Sequence, residues 1–533
     1  MNQVPSTCIR IPWSGSQPDL RITPFRVLFA LVLLLGIFAR VWEFGSLPPG
    51  LKQDETSTAV DAFSLYRFGA DRNGMSFPVH FISWGSGQNA LYGYIVIPFI
   101  ALAGLNPVAV RLPMLLSGVL SIPLMYRVGN RIAGRSFGLL AMFLLAISPW
   151  HILASRWGLE ANILPFVFLA AFACLLESTR DNYIFIVAAI FLSVCLYAYG
   201  PAYAAVPIFL AIGVAILLIT GRLNLRVVLA GLAAFAVLAA PIGFFLLVNT
   251  LKLETVKVGL LTIPRLPVQP RIETAAVFFD ERVLHTLKSN TLRLASLLWR
   301  QGDGLPWNSV DPYGYFYRYT FPLAIIGAGL LVHARRQKPS PERLLVLAWL
   351  VAAGSVGVIV PANINRMNLV FIPLLLCVAM CLDWLAQRSR AALVAAVCAF
   401  LVGFALFTRD YHGENYRDEA EVAFYGGFLQ ALDFARHVGD NPICVTNEEV
   451  HQPYIYVLFL EKLDPADYLP TIVYADPQAP FRDPTRLGRY RFGLRNCTNH
   501  SDGTVYVLEN EKPLTVPDSY TVVNFGNYHV FIP

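Results

Sequence analysis

Three short polar phrases interrupt a strongly apolar sequence, and they hold the side chains best suited to acid–base chemistry. "QDET" supplies Gln53, Asp54 and Glu55, "SRWGLEAN" supplies Arg156, Glu160 and Asn162 with His151 just upstream, and "NINRMN" supplies Asn363, Asn365 and Arg366. A carboxylate within hydrogen-bond reach of a hydroxyl can take its proton as general base. A guanidinium can neutralise a phosphate with two parallel N–H donors. Acids and arginines drawn from distant parts of the chain imply a polar cleft. Each residue also has a plainer use. Asp54 and Glu55 suit the positive end of a helix, Glu160 and Arg156 stand four apart as a helical ion pair would, and Arg366 has the place of a span-end anchor.

What must position these residues is a membrane bundle. The chain has 533 residues, 56% hydrophobic and 14% charged, with mean hydropathy +0.54, the balance of an integral membrane protein embedded in a lipid bilayer. A net charge of +6 is too small for this length to point to nucleic acid. Apolar runs near the roughly 20 residues that a spanning helix needs fall at 27–44, 89–105, 109–127, 136–153, 161–177, 183–199, 202–220, 226–248, 319–334, 343–361, 367–386 and 391–407. The first reads as a retained span, because its polar N-terminal lead is long and no small-residue cleavage site follows.

Basic residues near span ends stay on the cytoplasmic side. The basic connections carry Arg10, Arg21 and Arg26; Arg127, Arg131 and Arg135; Arg222 and Arg226; then "HARRQKPSPER" and "AQRSR". All can be cytoplasmic if one run between residues 45 and 108 does not cross. The run 89–105, short and containing Pro98, is expected to be that interfacial or re-entrant helix. About eleven spans remain, with a cytoplasmic N-terminus and an extracytoplasmic C-terminus, as expected of a multi-pass protein of the cell (plasma) membrane. A full crossing of 89–105 with exceptions to the charge rule is the alternative. In this topology Asp54 and Glu55 open an amphipathic helix that rests on the interface through Ala59, Ala62, Phe63 and Phe68. Glu160, Arg156 and Arg366 fall on the same side of the membrane, and the spans are nearly free of charge, unlike those of most transporters.

Past Phe407 the composition turns polar, and "PICVT", "TIVYAD", "TVYVLE" and "YTVVNF" read as strands. Residues 1–408 are expected to form the membrane domain and 409–533 a soluble extracytoplasmic α/β domain. Cys444 and Cys497 either form a disulfide there or are two buried thiols. Asn496-Cys497-Thr498 is a sequon. "CVAMC" lies in a span and reads as packing; no metal is assigned, and a divalent ion at the external acids is left open.

The layout resembles the GT-C superfamily of polyprenyl-phosphate-sugar-dependent glycosyltransferases, more narrowly the bacterial relatives of protein O-mannosyltransferases and of the aminoarabinose transferases that modify lipid A. The likeness rests on the acidic pair after the first span, the Arg156 to Glu160 element, a long later external loop and an external C-terminal domain. It also rests on the phrases "SPWHILASRWGLEAN" and "AVRLPMLLSGVLSIPLMYRVGNRIAG". The resemblance implies a mainly α, polytopic bundle with juxtamembrane helices. It implies a polyprenyl-phosphate-linked sugar donor, an extracytoplasmic lipid, glycan or protein acceptor, and direct displacement with inversion. Asp54 matches the first-loop catalytic acid, Glu55 its neighbour and Glu160 a second functional carboxylate, where relatives often carry Asp. "FPVHFISWGSGQ" replaces the His-Pro-Pro phrase of some relatives. The residues themselves nominate Arg156 or Arg366 for the donor phosphate. Two other classes stay open: a carrier that flips a lipid-linked solute, and a binder of glycan or lipid without catalysis.

Overall fold

In this computed structural model, residues 23–268, 282–332, 340–479, 481–497, 503–509 and 519–533 are described. Arg10, Arg21, residues 333–339 and Thr498 lie outside them. Where described, each of the apolar runs is mainly helical. Among the described residues eight helices are long and apolar enough to cross a membrane, and four shorter apolar ones join them, Leu91–Ala103, Arg135–Ala146, Ile184–Ala198 and Thr320–Val332.

Local chemistry sets the ends of these helices. The first, α1 (Pro24–Val41), has Pro24 in its first turn and Thr23 accepting from the Arg26 N–H. After the loop comes α2 (Gln53–Phe68), closed by Gly69 in the left-handed region. A two-residue ladder, β1 (His80–Phe81) with β2 (Gln88–Asn89), leads into α3 (Leu91–Ala103). With 13 residues and Pro98 inside, α3 is about 20 Å long, against about 30 Å of hydrocarbon. It packs on α2 and on α4 (Pro107–Ala133). The run 136–153 is divided: α5 (Arg135–Ala146) stops at Ile147, and Pro149 starts the short α6 (Pro149–Ala154). Then follow α7 (Glu160–Glu177), α8 (Ile184–Ala198), α9 (Ala202–Ile219) and α10 (Leu225–Thr250).

Burial sorts the helices. In the apolar stretch of Asn368–Ala386, 78% of positions are buried, against 11% in Arg390–Tyr411 and 22% in both α1 and Leu225–Thr250; these three outer helices carry much of the lipid-facing apolar surface. At the centre Trp349 packs on Phe168 and Phe172. A Cβ on Gly327 would lie 1.7 Å from the Cys377 carbonyl oxygen, so this close helix crossing admits only glycine. Cys377 and Cys381 are packing residues of that contact.

The C-terminal part is a seven-stranded mixed sheet in the order β10-β11-β9-β5-β8-β7-β6. Its strands are β5 (Ile443–Val445), β6 (Val473–Tyr474), β7 (Pro484–Leu487), β8 (Tyr490–Phe492), β9 (Val505–Leu508), β10 (Thr521–Phe525) and β11 (Tyr528–Ile532). β5 runs parallel to both β8 and β9. Cys444 and Cys497 form a disulfide in a small core with Tyr506, Leu508 and Phe531. The sheet domain sits on the first loop: Tyr456 Oη donates to the Leu51 carbonyl at 2.7 Å, and the Arg482 N–H to the Trp84 carbonyl at 3.1 Å.

That docking corrects the expectation for α2. The helix does not rest on the membrane interface, because Ala59 and Ala62 are fully buried and Thr56, Ser57 and Asp61 are buried as well. It lies between α3 and the helix Tyr454–Glu461 of the sheet domain.

Candidate active site

Glu55 and Asp54 are adjacent in the first turn of α2 and point to different surroundings. Glu55 is fully buried. Arg111 from α4 donates to both its oxygens, at 2.8 and 2.9 Å, and the Gly158 and Lys52 N–H groups add donors at 2.6 and 3.2 Å. The rest of the Arg111 guanidinium donates to the carbonyls of Pro48 and Gly50. Glu55 thus has no face left for a substrate; it is a fixed strut that joins α2, α4 and the 47–52 loop. Asp54 is only half-buried and accepts from the Trp84 indole N–H at 3.4 Å.

Arg156 is displaced from the role nominated for it. It is fully buried, with no lipid-facing rim. Its donors reach the Leu47 carbonyl at 3.2 and 3.0 Å and the Arg40 carbonyl at 3.1 Å, so it satisfies the end of α1 and the turn that follows. Nor does it pair with Glu160, whose Oε2 accepts from Gln88 Nε2 at 3.0 Å.

Gln88 is the junction of the site. Its amide also donates to Thr58 Oγ1 at 3.3 Å, and its oxygen accepts from Ser57 and Ser83 at 3.0 and 3.3 Å, which uses all its bonding capacity. Positions 54, 57, 58 and 61 share one face of α2 at helical spacing. Asp54 therefore lies one helical turn along α2 from Ser57 and Thr58, whose hydroxyls bind the Gln88 that holds Glu160. Behind them Arg72 donates to Ser57 and, at 3.1 Å, to Ser83, pairs with Asp61 at 3.6 Å, and stacks 4.6 Å over the Trp84 ring. Burial and the neighbouring Asp61 charge push the Asp71 carboxyl up to about 7. His80, stacked on Phe245, is pushed down to about 4 by burial and stays neutral.

Lys52 borders this face, and Arg366 stands on the segment that leads to Asn368. Lys52 Nζ donates to the Ala423 carbonyl at 2.9 Å and lies 3.7 Å from the Trp307 ring centroid. Burial pulls its ammonium down to about 8, against the opposing charges of Asp54 and Glu55. Arg366 is half-buried and gives one Nη to the Pro361 carbonyl at 2.9 Å. Two residues on, Asn368 donates to the Ala161 carbonyl at 3.1 Å and to Asn162 at 3.3 Å, beside Glu160. Among the described residues no three His, Cys, Asp or Glu side chains gather as a metal ion requires.

The same arrangement of helices and sheet occurs in the crystal structure of ArnT from Cupriavidus metallidurans bound to undecaprenyl phosphate, at 16% identity, covering 96% of this chain and 98% of that one, with a TM-score of 0.55. The chain has the GT-C fold. Apo ArnT from the same organism gives 15% identity, coverage of 95% and 97%, and a TM-score of 0.54. Residues 78–273 match the family Oligosaccharyl transferase STT3, N-terminal. The archaeal oligosaccharyltransferase AglB from Archaeoglobus fulgidus, in complex with an inhibitory peptide and a dolichol-phosphate, is 13% identical over 82% of this chain and 63% of its own, at a TM-score of 0.49. No curated protein sequence matches the chain. The GT-C match thus spans both the bundle and the sheet domain.

Sequence reasoning missed Lys52, Arg111 and Gln88. Lys52 carried a readable signal, a basic residue two places before the acid. Arg111 and Gln88 carried none, because their partners lie 56 and 72 residues away in sequence.

Proposed function

We propose that this protein is a membrane glycosyltransferase that moves a sugar from a polyprenyl-phosphate donor to an extracytoplasmic acceptor. The observation that carries the reading is the tie of Glu160, through Gln88, to Ser57 and Thr58 one turn from Asp54 on α2, in a GT-C fold that in ArnT holds undecaprenyl phosphate. Asp54 takes the acceptor hydroxyl's proton as general base. The acceptor oxygen bonds to the anomeric carbon as the carbon–oxygen bond to the phosphate breaks, with inversion, through charge of the kind a carboxylate stabilises. Glu160 assists in orienting the acceptor or sugar. The departing lipid phosphate meets Lys52 or Arg366, in place of Arg156.

The Cys444–Cys497 disulfide supports an oxidising compartment for the sheet domain, and an odd number of crossings then leaves the N-terminus cytoplasmic, with the division into 1–408 and 409–533 drawn near the end of the helix Arg390–Tyr411. The test is transfer of labelled sugar from a polyprenyl-phosphate donor in membrane extracts. Asp54→Asn is expected to lower turnover by about 10²–10⁴-fold, the usual worth of a general base, while donor binding persists. Unchanged turnover overturns the role of Asp54.

A further inference from the structure

The helix Val283–Arg300 presents three kinds of surface. Its core side packs on the helix Pro341–Ile359, with Leu297 buried and Asn290 donating to the Val358 carbonyl at 3.1 Å. A second side leaves Leu284, Leu292 and Trp299 exposed by 83%, 61% and 65%. Lys288, Arg293 and Arg300 are exposed among and beside them, and the helix contains no Asp or Glu. Large apolar side chains whose charged neighbours on the helix are all bases form the surface of a helix that lies in the headgroup layer of an anionic membrane.

The end of this helix marks its depth. Trp299 meets Phe321 edge-on at 6.1 Å, and Phe321 opens the apolar helix Thr320–Val332, where Ile325 and Ile326 are 57% and 49% exposed. Trp299 thus stands where a lipid-facing surface begins, the usual station of interfacial tryptophan. Beside it is a cavity of about 470 Å³ lined by Trp299, Arg300, Arg318 and Pro322. Arg318 pairs with Asp311 at 2.8 Å, but both side chains are more than half exposed. Such a screened pair contributes little and leaves the guanidinium open to a second anion.

We propose that this cavity binds the phosphate of an acidic glycerophospholipid from the surrounding bilayer, with Arg300 and Arg318 on the phosphate and Trp299 along the upper acyl chain. The cavity shares no lining residue with the proposed donor site.

The probe is phosphatidylglycerol as a minor component in phosphatidylcholine nanodiscs holding the full chain, with retained lipid counted by native mass spectrometry. Wild type is expected to retain phosphatidylglycerol over phosphatidylcholine. R300Q and R318Q should each cut that preference roughly fivefold, the factor equivalent to about 1 kcal/mol per basic group near an anionic surface, and R300K with R318K should keep most of it. Equal retention by wild type and R300Q/R318Q overturns the proposal, as does displacement by equimolar undecaprenyl phosphate, which would assign the cavity to the polyprenyl lipid. A second measurement needs no arginine variant. Fluorescence quenched by brominated phosphatidylglycerol, taken as wild type minus Trp299→Phe, should exceed that by brominated phosphatidylcholine, and equal quenching overturns the assignment.

Discussion

The first loop and the approach to the helix Thr320–Val332 each involve two arginines, under opposite conditions. Arg111 and Arg156 are fully buried, and main-chain carbonyls with the Glu55 carboxylate take up their donors. Arg300 and Arg318 are exposed, and the only acid ion-paired with either among the described residues is Asp311. A guanidinium has five donors in a rigid fork. When carbonyls at a helix end meet that fork, the side chain becomes scaffold; when water meets it, the side chain remains available to an anion. The same contrast separates Glu55 from Asp54, one residue apart.

Substitution can break that comparison most strongly at Arg111. Arg111→Leu leaves Glu55 buried and unpaired, and thermal unfolding should show a loss of about 3–5 kcal/mol, whereas Arg300→Gln should stay within about 0.5 kcal/mol of wild type. Equal losses at the two positions would erase the distinction between scaffold and ligand arginines. Cys444→Ser should cost the sheet domain about 2–4 kcal/mol, read as earlier proteolysis of residues 440–533 with the bundle intact. Arg156→Lys keeps the charge but not the fork, so one ammonium must choose between the Leu47 and Arg40 carbonyls. A loss of about 1–3 kcal/mol in detergent melts is expected.

The smaller effects are pH profiles. Burial lowers the Lys52 ammonium to about 8, so it is cationic below that pH and neutral above. Binding of polyprenyl phosphate should weaken as pH rises through about 8, and Lys52→Arg should flatten the decline; an unchanged slope in that variant would remove Lys52 from the phosphate site. Asp71 has the opposite charge sign. With its carboxyl raised to about 7, the folded chain holds a proton that the unfolded chain releases near the ordinary carboxylate value, about 4. Stability therefore falls as pH rises from about 4 to about 7. Asp71→Asn should flatten that part of the denaturant-midpoint profile.

Much of the fold was legible because helix length and hydrophobicity are local properties. The apolar runs all became helices, and the polar turn after Phe407 led to a sheet domain closed by Cys444 and Cys497. The division at Ser148 and Pro149 was legible in principle, since proline favours a first helical turn. The placement of α2 was misread. Its alanines and phenylalanines suited a lipid interface equally well, and only the packing of α3 and of the helix Tyr454–Glu461 against α2 shows that Ala59 and Ala62 are buried in protein.

In the candidate site, Asp54, Glu160 and Arg366 were nominated from residue type and position near span ends and stay candidates, whereas the buried partners of Glu55 and Arg156 were not foreseen. The chain's order determined by itself which segments are apolar enough to become helices and which polar residues interrupt them, since both depend on neighbours a few residues apart. Tertiary structure alone decided which acid faces the cleft and which arginine is consumed. A side chain's hydrogen-bond partners are set by what folds against it, and for Glu55 that is Arg111, 56 residues along the chain.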